Sequence, residues 1–147
     1  MTEHVLHFTR TFDAPRQLVF SCMTEPEHLT HFWGPIGTSA PLDQITVEAR
    51  PGGAFRTVMV NDADGSTYPT SARYLEVTAP ERLSWIEDRS GMTVTATFTD
   101  LGDDRTQVDI EQTNVPAQML DARAQAGFLT SLDRFAAHLA RLTRAER

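Results

Sequence analysis

The second half of the chain alternates apolar and polar side chains in a pattern that predicts antiparallel strands. Along residues 92–98, Met, Val, Ala and Phe alternate with three threonines, and along 107–111, Val and Ile alternate with Gln, Asp and Glu. Because successive side chains of a strand point to opposite faces, each strand has one apolar and one polar face. We therefore predict strands at 82–88, 92–99 and 106–113, in a sheet with one buried face.

One long amphipathic helix is predicted after these strands. Apolar residues recur every three or four positions from Leu120 to Leu142, which is the spacing of one helix face. No strand is predicted after this helix, so a curved sheet must receive it as a lid or a central plug. We expect residues 132–142 to fill the core and 119–128 to cover a cavity. Gly127 destabilises a helix by about 1 kcal/mol relative to alanine, which indicates close packing or a bend there.

Turn residues divide the first half of the chain into shorter elements. Pro15 suits the first turn of a helix, and Pro51-Gly52-Gly53 suits a tight turn between strands. The predicted elements are a strand at 4–13, helices at 15–23 and 26–32, and strands at 45–50, 54–61 and 67–78. The fold class is therefore α+β: a curved antiparallel sheet of six to seven strands around a long C-terminal helix, with two short helices after the first strand, in a single domain spanning 1–147.

Composition narrows the range of partners and chemistry. The 13 basic residues are all arginine and stand against 20 acidic ones, and the net charge of −7 disfavours nucleic acid and anionic membranes. Without lysine, neither Schiff-base chemistry nor a P-loop is available. No apolar run approaches the ~18 residues of a membrane span, no secretory signal is visible, and the single Cys22 fits a reducing cytoplasm. We expect a cytoplasmic location. Whether the chain forms a homodimer is left open.

The sequence offers weak candidates for metal binding and nucleophilic catalysis. His28 and His31 lie one turn apart on the second short helix, but no third ligand is evident, so we assign them to a solvated helix face. Cys22 lies in an apolar helix without an apparent histidine partner. We therefore predict no metal ligands, no catalytic residues and no cofactor.

The apolar face of the predicted sheet carries two charged candidates. Glu87 has the same parity as Trp85, and Arg73 has the same parity as Val77, so both charges are expected near the same space. A buried Glu87–Arg73 pair would orient a polar ligand group or transfer a proton. The alternative is an ion pair that is open to solvent at the strand ends.

A cavity between sheet and helix is the expected ligand site. Ala96 is small and central on the apolar face, which leaves volume there, and Trp33 either lines the entrance or fixes its loop to the core. Parity and position beside the helix select seven candidate ligand-binding residues: Trp33, Met59, Arg73, Trp85, Glu87, Ala96 and Phe128.

Several segments together carry a resemblance to a known superfamily. The segments are FDAPRQLVFSCMTEPEHLTHFWGP at 12–35, RPGGAFR at 50–56, APERLSWIED at 79–88, VTATF at 94–98, GDDRTQVDIEQ at 102–112 and AGFLTSLDRFAAHL at 126–139. Their order and spacing are similar to those of the START-like, helix-grip superfamily (SRPBCC), and most similar to the branch homologous to the activator of the heat-shock chaperone ATPase. One departure is Phe128, where that branch commonly carries tryptophan.

The resemblance implies a helix-grip cavity, and the leading hypothesis is non-catalytic binding of a small apolar molecule, such as a lipid, inside it. One alternative is an enzyme similar to the polyketide cyclases and related lyases of the superfamily, with Glu87 and Arg73 as its acid–base pair. A second alternative is a co-chaperone-like interaction module. Against that module, the family's chaperone activators carry an additional N-terminal domain, for which 147 residues leave no room.

Overall fold

A curved antiparallel sheet of eight strands packs against one long C-terminal helix. The computed structural model describes residues 4–145, so the ends of the expected 1–147 domain, residues 1–3 and 146–147, lie outside the described residues. In chain order the elements are β1 (Leu6–Phe12), α1 (Arg16–Cys22), α2 (Pro26–Leu29), β2 (Thr38–Ser39), β3 (Thr46–Val47), β4 (Ala54–Asn61), β5 (Thr67–Thr78), β6 (Arg82–Glu87), β7 (Thr93–Gly102), β8 (Arg105–Thr113) and α3 (Ala122–Ala145). Short 3-10 turns at Leu42–Gln44 and Ala117–Met119 precede β3 and α3.

The strand order in the sheet is β1-β8-β7-β6-β5-β4-β2, and β3 also pairs with β4. Every pairing among the described strands is antiparallel. The predicted α+β architecture, with two short helices after the first strand, is confirmed. The sheet has eight strands rather than the expected six to seven, and two of them, β2 and β3, contain only two residues each. The strand expected at 45–50 is reduced to Thr46–Val47, because the chain turns at Arg50, whose carbonyl accepts a hydrogen bond from the Gly53 amide at 2.8 Å.

The predicted faces of β7 and β8 are confirmed. Val94, Ala96 and Phe98 of β7 are buried, and so are Val108 and Ile110 of β8. The three threonines that alternate with them on β7 are only partly buried. The buried face of the sheet, called the inner face below, is the one that packs against α3.

Helix α3 fills the core with its second half, as the apolar spacing predicts. Leu132, Phe135 and Leu139 are buried. The close backbone packing expected at Gly127 is not required, because an added Cβ would lie 3.6 Å from the Cβ of Pro35, an ordinary van der Waals contact. Within residues 4–145, no helix is both long and apolar enough to cross a bilayer.

Strand β5 contains a bulge that changes which side chains face inward. Tyr74 pairs with Trp85 and the next pair joins Glu76 to Ser84, so Leu75 is an extra residue on β5. An extra residue shifts the alternation of a strand by one position. Tyr74 therefore faces inward, whereas Arg73 faces outward, and the inward orientation expected for Arg73 from its parity with Val77 is wrong.

Candidate ligand-binding site

Four aromatic side chains meet on the inner face, and we call them the aromatic cluster: Trp33, Phe55, Tyr74 and Trp85. Strand pairing places three of them, since Tyr74 lies directly opposite Trp85 and β4 carries Phe55 alongside. The ring of Phe55 lies 5.2 Å from those of Trp33 and Trp85, at 70° and 85°, and stacks at 5.5 Å on Tyr74. Edge-to-face and offset-stacked rings at these distances attract each other, so the cluster is well packed.

The hydroxyl of Tyr74 is the chemically exceptional atom of the aromatic cluster. Tyr74 is 1% exposed, and its Oη has no hydrogen-bond partner among the described residues. Leaving a buried polar atom unpaired costs about 1–3 kcal/mol. Burial also raises the pKa of the Tyr74 phenol above its usual value, so the group is neutral and carries a proton to donate.

Trp33 forms the outer edge of the aromatic cluster, and α3 holds its loop in place. The Ser131 hydroxyl donates to the Phe32 carbonyl at 2.9 Å, and Arg134 Nη1 donates to the Gly34 carbonyl at 2.8 Å. Trp33 lies between these two anchors and remains half-buried. The one partly exposed ring of the cluster is therefore positioned by α3.

Two further predicted site residues lie on either side of this loop and helix. Met59 packs against Gly34, since a Cβ added to that glycine would lie 2.8 Å from the Met59 sulfur. Phe128 of α3 packs on Phe8 of β1, with ring centroids 4.5 Å apart. Met59 therefore borders the Trp33 loop, whereas Phe128 borders the opposite edge of the sheet.

Ala96 lies in a packed part of the inner face. It is fully buried and pairs across the sheet with Leu83 and Ile110, both of them buried. Two depressions of the described surface have volumes of about 580 and 400 Å³, and neither is lined by Ala96 or by a residue of α3. The volume expected beside Ala96 is thus not one of these two depressions.

The expected pair of Glu87 and Arg73 is not formed. Glu87 lies opposite Ala72, is half-buried and accepts a hydrogen bond from the Ser90 hydroxyl at 3.1 Å. Arg73 points outward, where its Nε lies 3.3 Å from Oδ1 of Asp88. The bulge at Leu75 is the physical reason, because it places Arg73 on the face opposite to that of Glu87.

A histidine cluster lies where α2 meets α3, and the assignment of His28 to a solvated face is wrong. His28 Nδ1 is 2.9 Å from Nε2 of His138, and the exposed His31 stacks its ring on that of His138 at 4.7 Å. His138 itself is 4% exposed. Burial, and then the neighbouring histidines and arginine, lower the pKa of His138 to about 4, so its ring is neutral at pH 7.

Cys22 also has histidine neighbours, contrary to the expectation from its apolar helix. Its Sγ and one ring nitrogen each of His28 and His138 lie within 4.8 Å of one another. Burial, and to a smaller extent Glu25, raise the pKa of the Cys22 thiol to about 12. The thiol is therefore protonated at neutral pH, and nothing in its surroundings activates it as a nucleophile.

Solved structures share this fold over nearly their full lengths. A protein of Chromobacterium violaceum is 24% identical with a TM-score of 0.85, and the match covers 92% of this chain and 97% of that one. A protein of Nitrosomonas europaea is 26% identical with a TM-score of 0.81, over 95% and 96% of the two chains. The AHSA1 protein of Silicibacter pomeroyi is 23% identical with a TM-score of 0.77, over 93% and 98%.

The sequence matches one family model over most of its length. No curated protein matches the chain. Residues 13–140 match the model described as "Activator of Hsp90 ATPase homolog 1-like protein", and this range contains all four residues of the aromatic cluster. The chain therefore belongs to the family of Activator of Hsp90 ATPase homolog 1-like proteins, within the START-like helix-grip proteins.

Proposed function

We propose that the protein binds a small, neutral, largely apolar molecule with one carbonyl or hydroxyl group, in the aromatic cluster beneath α3. The observation that carries this proposal is the buried Tyr74 hydroxyl, which has no partner among the described residues. A ligand oxygen that accepts its proton would remove the cost of the unpaired group. The same hydrogen bond would fix the orientation of the ligand.

The chemistry of the cluster favours a neutral ligand. Its members offer aromatic faces and edges, and none of them carries a charge at neutral pH. An ionised ligand group would lose its hydration without gaining a cationic partner there, which is strongly unfavourable. Apolar ligand surface removed from water would contribute about 25 cal/mol per Å² to affinity. A lipid or another apolar metabolite fits this description.

Entry to the site requires Trp33 to move. The cluster is packed in the present conformation, and Trp33 is its only half-buried member among the described residues. Its loop is held by a few hydrogen bonds from Ser131 and Arg134 rather than by a strand of the sheet. Outward movement of this loop would open the space next to Phe55 and Trp85, so we expect binding to change tryptophan fluorescence.

The two alternative functions are less well supported. The lyase-like enzyme depended on a Glu87–Arg73 pair, and Arg73 instead contacts Asp88 on the outer face. The co-chaperone role rests on the family description alone. A cytoplasmic location, expected from the presence of a single cysteine, is part of the present proposal.

Replacement of Tyr74 by phenylalanine tests the role of the hydroxyl. Nile red, a neutral apolar dye with a carbonyl group, should bind the wild-type protein saturably and change its tryptophan emission. We expect Tyr74→Phe to weaken this binding about tenfold, the value of one lost hydrogen bond, and to stabilise the ligand-free protein by about 1 kcal/mol. Fluorescence titration and urea unfolding measure the two effects.

The second tyrosine of the chain provides the matched control. Tyr68 is 50% exposed, so Tyr68→Phe should leave both dye affinity and stability unchanged. If Tyr74→Phe bound Nile red as tightly as the wild-type protein, the hydroxyl would not contact the ligand. If this variant were also less stable, the hydroxyl would have a structural partner, and the proposal would lose its main support.

A further inference from the structure

We propose that Cys22, His28 and His138 form a binding site for one Zn²⁺ ion, separate from the aromatic cluster. The three side chains come from three different elements: Cys22 ends α1, His28 lies in α2, and His138 lies on the buried face of α3. Their donor atoms lie within 4.8 Å of one another. Residue 138 is far in the sequence from residues 22 and 28, so only the fold brings the third ligand to the site.

The donor set and its geometry suit this ion. One thiolate and two imidazoles are the ligands that zinc prefers, and catalytic or exchangeable zinc sites commonly use three protein ligands and a water molecule. With bonds of about 2.3 Å to sulfur and about 2.0 Å to nitrogen, tetrahedral donors lie ~3.3–3.6 Å apart. His28 Nδ1 and His138 Nε2 are 2.9 Å apart, and all three donors lie within 4.8 Å of one another, so their spacing brackets the tetrahedral distances and binding needs side-chain rotations.

Hydrogen bonding determines where the protons are before the ion binds. Arg141 Nη2 lies 2.8 Å from His138 Nδ1, and a guanidinium only donates, so Nδ1 is the acceptor. The ring proton of His138 is therefore on Nε2, from which it is donated to Nδ1 of His28. In this arrangement, the nitrogen of His138 that would bind the ion is blocked by its own proton.

Zinc binding then exchanges protons and one hydrogen bond for metal–ligand bonds. The Cys22 thiol releases its proton to solvent as the S–Zn bond forms. The His138 proton moves from Nε2 to Nδ1 by exchange with solvent, which leaves the Nε2 lone pair for the ion. Arg141 must withdraw from the newly protonated Nδ1, and it is free to do so because it is exposed. One proton is released for each ion that binds. Arg141 opposes ion binding, because its hydrogen bond requires an unprotonated Nδ1 on His138, whereas the ion requires an unprotonated Nε2.

Cobalt substitution tests the site with a direct signal for the thiolate. Dialysed wild-type protein should bind one Co²⁺ ion with a thiolate-to-cobalt charge-transfer absorption, and Zn²⁺ should displace it. Cys22→Ser and His138→Gln should bind Co²⁺ at least about tenfold more weakly, and the serine variant should lack the charge-transfer band. His7→Ala removes an exposed histidine on β1 and should bind like the wild-type protein.

Arg141→Met is a second test that remains available if the substitutions of the buried Cys22 and His138 impair folding, because the Arg141 side chain is exposed. It should bind Co²⁺ about tenfold more tightly than the wild-type protein, since no charged hydrogen bond has to break. Equal affinity would overturn the competition and with it the assignment of His138 Nε2 as a ligand. Failure of both proteins to bind stoichiometric Co²⁺, or binding without the charge-transfer band, would overturn the site.

Discussion

Replacement of Gly53 by alanine should lower the free energy of unfolding by about 3 kcal/mol or more. A Cβ at this position would lie 1.9 Å from the backbone carbonyl oxygen of Glu48 and 2.9 Å from that of Arg50. Neither oxygen can rotate away as a side chain would, so the turn itself must change. Urea unfolding followed by circular dichroism measures the loss.

The effect should extend to the candidate ligand site. The Gly53 carbonyl accepts a hydrogen bond from the Tyr74 amide at 2.9 Å, and the Gly52 amide donates to the Tyr74 carbonyl at 2.8 Å. Gly52→Ala is the matched control, because it introduces the same methyl group into open space. It should cost only the strain of a positive φ, here 81°, which is about 1–2 kcal/mol. Equal losses for the two variants would show that the close approach to Glu48 is not what requires glycine at position 53.

Replacement of Phe135 by alanine should destabilise the protein by about 3–5 kcal/mol. The Phe135 ring is 2% exposed, stacks on Phe32 at 4.1 Å and 6°, and lies 4.8 Å from the ring of Phe12. Its truncation would leave a cavity bordered by α3, by β1 and by the segment that follows α2, and these cannot all collapse into it. Thermal and urea unfolding measure the loss.

Leu129 on the same helix provides the control, because its replacement by alanine also changes helix propensity and shortens a side chain. It is 43% exposed, so Leu129→Ala should change the stability by no more than about 0.5 kcal/mol. A Phe135→Ala protein as stable as the Leu129→Ala protein would show that α3 covers the sheet without filling its core. The prediction that residues 132–142 act as a core plug would then have to be withdrawn.

The elements that could be predicted from the sequence are those with a regular apolar period. The alternation around Val94 and Val108 specified both the strands and their buried faces, because one side of this sheet packs on a helix and the other contacts water. The spacing through Leu132, Phe135 and Leu139 likewise specified the buried face of α3. Strand β2 was not predicted and β3 was predicted too long, since two residues are too few to show a period.

The candidate site was harder to predict because a single irregularity changes the parity of a strand. Arg73 was expected to face inward by counting from Val77, and the bulge at Leu75 makes that count wrong by one residue. The same count hid Tyr74, whose buried hydroxyl is now the main evidence for a ligand site. Nothing in the local sequence shows that Leu75 is the extra residue, because only the pairing of β5 with β6 reveals it.

The histidine cluster could not be predicted for a different reason. His28 and Cys22 have polar and apolar neighbours that are typical of an exposed and a buried helix face, and both were assigned accordingly. His138 occupies the apolar stripe of α3, three residues after Phe135, and this was an available signal that one histidine is buried. Its contact with α1 and α2 depends on long-range packing, which the periodicity of one helix does not contain.

At the bulge, strand β5 should tolerate both substitution and the loss of one residue. The Leu75 side chain is 51% exposed, so substitutions there should affect the fold little. Its backbone unit, however, is what allows Tyr74 and Val77, three positions apart, to share one face. Deletion of residue 75 would leave Tyr74 and Val77 two positions apart, the spacing at which a regular strand keeps side chains on one face. Both ends of the strand would then keep their apolar side chains toward α3. Neither the identity nor the presence of residue 75 is therefore needed to orient β5, because β6 pairs with the residues on either side of it.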